Sequence, residues 1–287
     1  MISLIIATVD RVTELERLLA SLARQSDQDF EVIVVDQNPD DRLAPVLARH
    51  SELSLRHLRS GRGLSRARNV GLAQVQGDLV GFPDDDCWYP PQLLAQVKDV
   101  FHLHAEYGAL FAMLRDANQQ PVGPKWPHLA GRWSKENVWV YGISPAGFLR
   151  RKVADAIGRF DENIGMGAAT PYQSGEDVDY FVRPLERGWE IGYDPALTVH
   201  HPSFHRIERI RERSYSYALG GGYTLRTHHY PLRMLVNSLV RSIGGAVVSF
   251  LRGNFLMSQS YILRGAGVAR GYFLGPSDLR KARLHTD

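Results

Sequence analysis

Residues 79–86 read Leu-Val-Gly-Phe-Pro-Asp-Asp-Asp, an apolar run of strand length that ends in the carboxylates Asp84, Asp85 and Asp86. Carboxylates crowded at the end of a buried strand repel one another, so they need a cationic partner. A divalent cation suits them, because Mg²⁺ and Mn²⁺ take hard oxygen ligands from carboxylates and complete their shells with phosphate and water. The alternative is a solvated acidic turn, and the surrounding sequence has to separate the two interpretations.

The segments before this stretch alternate between strand and helix patterns. Apolar runs predict strands over residues 3–8, 31–36, 53–58 and 78–83. Leucines at helical spacing predict helices between them, and such alternation favours an α/β fold with a mainly parallel central sheet flanked by helices. Ligands of open sheets bind beyond the carboxyl ends of the strands, where Asp10, Asp36 and the Asp84–Asp86 triplet all lie. The pattern therefore predicts one acidic binding edge.

The segments after the triplet continue the mixture of elements. The same reasoning predicts helices at 90–107, 152–157 and 176–187, and strands at 108–114, 138–143, 191–193 and 197–199. A basic helix is expected over 207–219, and Gly220–Gly222 are expected to end it. Residues 232–251 are apolar, but Arg233 and Arg241 interrupt them and argue against a transmembrane helix.

Charge is divided unevenly along the chain. The formal net charge is +3, but residues 203–287 hold 13 Lys/Arg against 4 Asp/Glu, whereas residues 1–202 hold 21 against 27. A basic tail rich in apolar and aromatic residues favours an anionic membrane surface or nucleic acid. The single cysteine, Cys87, excludes an internal disulfide and suits a reducing compartment. Residues 1–6 fit a first strand and not a signal peptide, so we expect a cytoplasmic location.

Four segments in a particular order carry a family resemblance. They are Ser-Leu-Ile-Ile-Ala-Thr at 3–8, Val-Val-Asp at 34–36, Gly-Leu-Ser-Arg-Ala-Arg-Asn-Val-Gly at 63–71 followed by the acidic triplet, and Gly-Glu-Asp at 175–177 followed by 195–202. Each motif alone is weak, but the ordered set is specific. The chain resembles glycosyltransferase family 2, whose members are inverting enzymes with the GT-A fold.

The resemblance implies a division of the chain and a reaction. A GT-A catalytic domain is expected over 1–202, with a donor-binding half of about 1–114 and an acceptor half of about 115–202. A basic amphipathic helical extension is expected over 203–287. The implied reaction moves a sugar from a UDP-, dTDP- or GDP-sugar to a hydroxyl of a glycan or glycolipid, in bacterial surface-polysaccharide synthesis.

The resemblance assigns donor-binding roles to residues of the first half. Thr8, Asp10 and Asp36 are expected to hold the base and ribose, which fits the hydrogen-bonding capacity of carboxylates. For Asp36 the alternative is a helix cap.

Arg66 and Arg68 lie close to a helix start, and a helix N-terminus and a guanidinium both favour phosphate. The alternative is a basic, solvated first turn. Arg68 and Asn69 match the family best. One of the two is expected to orient the acidic triplet or to touch the donor.

The resemblance also places a divalent metal at the triplet. Asp86 is expected to bind Mn²⁺ or Mg²⁺, and Asp84 to contact ribose or a metal-bound water. Asp85 is the spacer, and whether it shares these contacts stays open. His200 and His201 follow a strand where family members often have a metal-ligating histidine, and the Val-x-His-Pro pattern favours His201.

Two acids at 176–177 are the catalytic candidates. The resemblance makes Asp177 the general base that takes a proton from the acceptor hydroxyl, with Glu176 beside it. The alternative is two acids placed favourably against a helix dipole.

Other classes of function fit less well. A nucleotide-sugar-binding module that recruits partners through its last helices is the main alternative. No helix-turn-helix, zinc or single-strand motif supports a nucleic-acid partner, and no G-x-G-x-x-G follows the first strand as in a dehydrogenase. For the tail, membrane contact competes with helices packed on the catalytic domain and with a homodimer contact.

Overall fold

A computed structural model describes residues 1–203 and 210–275 of the chain. Its first part is built on one sheet. The strands are β1 Ile2–Thr8, β2 Phe30–Asp36, β3 Leu55–Arg59, β4 Leu79–Gly81, β5 Tyr107–Arg115, β6 Gly131–Arg132, β7 Gly147–Arg150 and β8 Glu190–His200.

The eight strands are ordered β3-β2-β1-β4-β7-β5-β8-β6. β1 pairs in parallel with β2 and β4, and β2 pairs in parallel with β3, which makes one half of the sheet wholly parallel. β7 is antiparallel to both of its neighbours, and β5 and β8 are again parallel. Every residue of β2 is buried, as its continuous apolar sequence predicts for a strand covered on both faces.

Helices flank this sheet and form the last part of the chain. They are α1 Thr13–Leu22, α2 Ala44–Arg49, α3 Leu64–Leu72, α4 Leu93–Leu103, α5 Lys135–Tyr141, α6 Arg151–Ile157, α7 Glu176–Glu186, α8 Ile210–Thr227, α9 Leu232–Leu251 and α10 Phe255–Phe273. The predicted class, an α/β sheet flanked by helices with a C-terminal helical extension, is confirmed. α9 is long and apolar enough to cross a membrane, judged by length and composition.

The predicted strand at 138–143 is wrong, because residues 135–141 form α5. Ser134 caps this helix: its Oγ accepts from the Asn137 N–H at 3.4 Å, and Asn137 Oδ1 accepts from the Ser134 N–H at 2.9 Å. The cap nucleates a helix in spite of the β-branched residues Val138 and Val140. The apolar run at 138–143 alone indicated a strand, and the cap at Ser134 was not part of that prediction.

Two other boundaries differ from the sequence interpretation. The strands expected at 191–193 and 197–199 are one strand, β8, with irregular pairing to β5 around Pro195. Gly220–Gly222 do not end α8, which continues to Thr227. A Cβ on Gly222 would overlap the Val268 carbonyl of α10, so glycine serves close helix packing here.

The chain groups into two compact units. The first contains the sheet and comprises Met1–Arg62, Arg66–Phe160 and the described residues from Tyr180 to 203. The second contains Gly63–Ser65, Asp161–Asp179 and α8–α10. The expected boundary between 1–202 and 203–287 stays a prediction, and we note that the second unit draws on segments from both sides of it.

Candidate active site

Strand ends of the first unit bring acidic residues to one edge of the sheet. β1 and β2 run parallel with Thr8 opposite Asp36, and β1 and β4 run parallel with Leu4 opposite Gly81. The carboxyl ends of parallel strands share an edge, and ligands bind there. The loop after β4, which holds the Asp84–Asp86 triplet, therefore lies beside the loop after β1.

Arg11, in the loop after β1, neutralises two of the three carboxylates. Its Nη1 lies 2.7 Å from Asp85 Oδ1 and 2.6 Å from Asp86 Oδ2. The Asp85 side chain is 8% exposed. Burial raises the pKa of its carboxyl, and the charge of Arg11 and the hydroxyl of Thr8 oppose that rise. The triplet is thus a partly buried cluster with charge compensation, and not a solvated turn.

His201, directly after β8, faces the triplet from the other side. Its Nε2 lies 3.3 Å from Asp86 Oδ1 and 3.8 Å from Asp84 Oδ2. Its Nδ1 lies 2.6 Å from the Pro202 carbonyl oxygen, which can only accept, so Nδ1 carries a proton and donates it. In a neutral imidazole Nε2 then points a lone pair at Asp86, whose buried Oδ1 accepts no hydrogen bond from residues 1–203 or 210–275.

These side chains can hold a metal ion. Asp86, Cys87 and His201 each offer one ligand atom, and the three atoms lie within 4.8 Å of one another. Burial and the neighbouring carboxylates raise the pKa of the Cys87 thiol well above its ordinary value, so the sulfur stays protonated. A cation with oxygen and imidazole ligands would be held by Asp86 and His201, with Asp84 near.

Arg68 and Asn69 of α3 contact different partners. Arg68 is buried, its Nη2 lies 3.4 Å from Asp84 Oδ1, and its guanidinium lies 5.3 Å from the centre of the Phe160 ring. Asn69 pairs with the Phe160 backbone in both directions: Nδ2 donates at 3.0 Å and Oδ1 accepts at 2.8 Å. Arg68 therefore contacts Asp84 of the triplet, whereas Asn69 anchors α3. The expected orienting role of Arg68 and the expected donor contact of Asn69 stay predictions.

Asp36 is completely buried and organises the loop after β2. Its Oδ1 accepts from the backbone N–H and the side-chain Nδ2 of Asn38 at 2.8 and 2.7 Å. Its Oδ2 lies 3.0 Å from His57 Nε2 and 3.1 Å from Arg59 Nη1. It does not cap α2, whose N-cap is Leu43. The Asp36 carboxylate thus has partners within the chain at both of its oxygens. Its expected contact with ribose stays a prediction.

Asp10 lies at a point where two exposed arginines converge. Its φ of 60° is left-handed, and its N–H donates to Asn38 Oδ1 at 2.8 Å. Its carboxylate lies 3.0 Å from Arg42 Nη1 and 3.1 Å from Arg62 Nη2. Guanidinium groups bind phosphate in a bidentate manner. This edge of the sheet therefore offers groups for both a cation and a phosphate.

His200 lies apart from the carboxylate group. Its ring stacks on Trp88 with centroids 5.2 Å apart, and the two backbones pair through hydrogen bonds of 3.0 Å in both directions. Successive residues of an extended strand point to opposite faces. The structure brings His201, and not His200, to the triplet.

Glu176 and Asp177 begin α7 in the second unit. Glu176 is buried and Asp177 is half-buried. The preceding Gly175 has a φ of 96°, a conformation that favours glycine. Ser174 Oγ donates to the Tyr217 carbonyl of α8 at 2.6 Å. This hydrogen bond connects the residue pair before α7 to α8 within the second unit.

Three residues spaced by four extend this attachment: Gly220 and Thr224 of α8, and His228 just after it. A Cβ on Gly220 would overlap the Ser174 carbonyl. Thr224 Oγ1 lies 3.4 Å from the carbonyl oxygen of Gly175. His228 Nε2 lies 2.9 Å from Asp179 Oδ1, and these two side chains are 6% and 5% exposed. α8 therefore supports the segment that carries the two catalytic candidates.

Comparison with known proteins agrees with this geometry. Residues 3–160, more than half of the chain, match the family described as Glycosyl transferase family 2. The chain belongs to glycosyltransferase family 2. The predicted family is confirmed.

Curated relatives resemble this glycosyltransferase over part of their own length. The uncharacterized glycosyltransferase YwdF of Bacillus subtilis is 25% identical over 57% of this chain and 63% of its own. The Pre-mycofactocin glycosyltransferase of Mycobacterium tuberculosis is 28% identical over 70% of this chain and 42% of its own. The Beta-monoglucosyldiacylglycerol synthase of Synechocystis is 28% identical over 61% and 37%. The chain thus spans less than two thirds of each.

Solved structures share the fold of this glycosyltransferase. S. aureus TarS 1-349 in complex with UDP-GlcNAc has a TM-score of 0.62 at 16% identity and covers 98% of this chain and 92% of its own. The mannosyltransferase PcManGT of Pyrobaculum calidifontis, in complex with GDP-Man and Mn²⁺, has a TM-score of 0.60 at 17% identity, over 93% and 86%. The GT-A fold expected from the sequence is confirmed.

Replacing His228 should destabilise the glycosyltransferase. His228→Ala removes the Nε2 contact from the buried Asp179 carboxylate, and we expect the free energy of unfolding to fall by about 3 kcal/mol. His228→Gln keeps an N–H near the position of Nε2 and should recover a large part of that loss. Urea denaturation measures both variants, with the exposed His229→Asn as the control. Equal losses in the Ala and Gln variants would contradict a donated hydrogen bond.

Proposed function

We propose that this glycosyltransferase moves a sugar from a nucleoside diphosphate sugar to a hydroxyl of a glycan or glycolipid, with Mn²⁺ or Mg²⁺ and with inversion. The observation that carries the proposal is the pair formed by Asp86 Oδ1 and His201 Nε2, 3.3 Å apart. Both atoms present lone pairs when the imidazole is neutral, and two lone pairs at this distance repel. A cation between the two side chains removes that repulsion.

A bound cation would neutralise the negative charge that develops on the diphosphate leaving group. Asp86 and His201 are proposed as its ligands, with Asp84 contacting ribose or a metal-bound water. Imidazole is more compatible with Mn²⁺ than with Mg²⁺, so we favour Mn²⁺. Arg68 would hold Asp84 in place, and His200 is left out of the ligand set because its ring is stacked on Trp88.

The donor is proposed to lie along the carboxyl edge of β1, β2 and β4. Thr8, Asp10 and Asp36 would contact its base and ribose, and the exposed Arg42 and Arg62 could reach its phosphates. UDP-GlcNAc is bound by TarS and GDP-Man by PcManGT, two proteins of the same fold, which supports the donor class. A UDP-, dTDP- or GDP-sugar is the expected range.

Inversion follows if one displacement moves the sugar. Asp177 is proposed as the base: the acceptor oxygen forms a bond to the anomeric carbon, its proton passes to the Asp177 carboxylate, and the diphosphate leaves with the electron pair of the broken bond. Attack from the side opposite the leaving group inverts the anomeric centre. Glu176 is buried beside it and is proposed to support this residue.

The proposal includes a cellular setting. We place the enzyme in bacterial surface-polysaccharide or glycolipid synthesis, in the cytoplasm, with peripheral contact to an anionic membrane through its basic last helices. One relative is a Beta-monoglucosyldiacylglycerol synthase, which supports a lipid-linked acceptor as one of the options. A binding module without turnover is the alternative function, and a homodimer is the alternative use of the last helices.

A donor screen tests the proposal. The melting temperature of the full chain is measured with UDP-, dTDP- and GDP-sugars, each with and without Mn²⁺, because a ligand that binds the native state raises it. A stabilising donor is then incubated with glycolipid and glycan acceptors, and the anomeric configuration of the product is read by NMR. Metal-dependent stabilisation without transfer would favour the binding module. Stabilisation by no donor would contradict the proposal.

Arg11 should compete with the cation for the triplet. Its guanidinium contacts Asp86 Oδ2, so the charge on Arg11 repels any ion bound at Oδ1. In Arg11→Gln without nucleotide we expect Mn²⁺ to bind on the order of tenfold more tightly, measured by electron paramagnetic resonance titration. Arg24→Gln, an exposed arginine beyond α1, is the control. Weaker Mn²⁺ binding in Arg11→Gln would instead make Arg11 a positioner of the carboxylates.

A further inference from the structure

The contact between α9 and α10 is made largely by small residues, and apart from the buried Leu235 and Val268 the large apolar residues of the pair lie mostly outside. On α9, Ser242 and Ala246 are buried, and Ser258 Oγ of α10 donates to the Ala246 carbonyl at 2.9 Å. A Cβ on Gly245 would lie 2.6 Å from the Tyr261 ring. Close contact through small residues and hydroxyls is typical of helix pairs that pack in lipid. In a water-soluble pair the large apolar side chains would be the buried ones.

The outward face of α9 carries a continuous apolar stripe. Its members recur every three or four residues and are each about half exposed or more: Leu232, Val236, Val240, Ile243, Val247 and Phe250. We name this set the α9 stripe. Phe255, Ile262 and Phe273 of α10 are exposed as well, at 61, 60 and 68%. Exposed apolar area that is continuous along a helix marks a binding surface.

The sequence on either side of α9 carries only positive charge. No Asp or Glu occurs between Glu212 and Asp278, whereas seven arginines do. Arg233 and Arg241 of α9 are exposed. At 100° per residue, Arg233 lies about 20° from Val240 at one edge of the stripe, and Arg241 lies about 100° from the same residue. Such a surface complements anionic lipid headgroups. It opposes a second copy of the same surface, because the arginines of two copies would face one another.

We infer that the α9–α10 pair lies in the plane of an anionic phospholipid leaflet, with the α9 stripe in the acyl region and its flanking arginines at the headgroups. The inference deepens the proposed membrane contact by naming the surface. A spanning α9 fits less well, since Arg241 lies at the middle of the helix and would be placed near the bilayer centre. If the two helices spanned together, Arg264 at the middle of α10 would be placed near the bilayer centre as well.

Vesicle flotation of the full chain, without nucleotide or metal, tests the surface. The variant Val240→Gln/Ile243→Gln/Val247→Gln changes only exposed positions and should bind phosphatidylglycerol-containing vesicles at least about tenfold more weakly than the wild type. Leu103→Gln/Leu129→Gln alters residues that are 76 and 82% exposed in the first unit and should bind unchanged. Arg233→Gln/Arg241→Gln should weaken binding to anionic vesicles and reduce its salt dependence. Equal binding by the triple variant would overturn the inference.

The depth of a fluorescent label in the bilayer distinguishes a helix that lies in the membrane plane from one that spans the membrane. Leu232→Cys, Ile243→Cys and Phe250→Cys lie on one side of α9, and the native Cys87 is buried. An environment-sensitive fluorophore at each site should report the same depth in anionic vesicles. A graded depth along the helix would overturn the in-plane placement.

Light scattering tests the competing occupant of the same surface. A wild type that is dimeric without lipid, together with a triple Gln variant that is monomeric, would assign the α9 stripe to a second copy and overturn the inference. A wild type that is monomeric without lipid supports it. The vesicle assay needs no turnover, so its failure leaves the proposed transfer reaction untouched.

Discussion

Replacing Asp177 with Asn should lower kcat for sugar transfer by ~10²–10⁴-fold, the usual contribution of a general base. Asn has nearly the same shape as Asp, but its amide cannot take a proton from the acceptor hydroxyl. Asp177 is half-buried at the start of α7, so the variant should fold. The affinity for the donor should stay within about twofold of the wild type, because the lost interaction is one that forms in the transition state.

Two matched variants sharpen this experiment. Glu186→Gln removes a carboxylate at the other end of α7, where it pairs with Lys135, and should leave kcat unchanged. Glu176→Gln tests the neighbouring acid. If Asp177→Asn keeps the kcat of the wild type and Glu176→Gln loses it, the base is Glu176. A product with retained configuration would exclude the single displacement, whichever acid is essential.

Replacing Asp86 with Ala should abolish metal-dependent donor binding. Changes to residues that merely support a metal ligand typically reduce metal affinity 10–100-fold, so loss of the ligand itself should cost at least on the order of 100-fold. Calorimetry with UDP and Mn²⁺ measures the effect, with GDP or dTDP in its place if the donor screen selects another base. Binding of the nucleotide without Mn²⁺ should change little.

Cys87→Ala is the informative control for Asp86→Ala. Cys87 belongs to the same group of three potential ligands, but a thiol is a poor ligand for a hard cation. We therefore expect Mn²⁺ binding to survive in Cys87→Ala. Loss of metal affinity in both variants would indicate a softer ion. Undiminished Mn²⁺-dependent binding in Asp86→Ala would remove Asp86 from the ligand set.

The sheet edge was predictable because its signals are local. β1 and β2 are continuous apolar runs, and the Asp84–Asp86 triplet follows such a run directly. Parallel pairing then requires the strand ends to share an edge, wherever the connecting helices lie. The expected meeting of the β1 and β4 loops needed no knowledge of side-chain contacts. The chemical roles of the residues in these loops depend on side-chain contacts, and these roles are proposals.

The errors arose where a local pattern has two physical explanations. Residues 138–143 form an apolar run of strand length, yet the Ser134 cap begins a helix that includes residues 138–141. Gly220–Gly222 resemble a helix end, yet α8 continues because their missing side chains let other segments approach closely. In both cases the free energy of a cap or of a close contact outweighs intrinsic propensity, which is a weak term.

The arginines around the acidic edge had no motif to identify them. Arg11 lies 74 residues from Asp85 along the chain, and Arg42 and Arg62 lie 32 and 52 residues from Asp10. A guanidinium at the end of a flexible side chain fits many surroundings, so neither spacing nor periodicity indicates its partner. The same holds for His228, whose pairing with Asp179 depends on how α8 packs.

By itself, the sequence determined the family, the alternation of strands and helices, and the placement of three acids at a strand end. These follow from periodicity and from the order of motifs, which depend on neighbouring residues alone. Tertiary structure decided that His201 and not His200 faces Asp86, that α8 supports the start of α7, and that α9 turns its large apolar side chains outward. Each depends on contacts between residues far apart in the chain, whose free energies only the folded packing reveals.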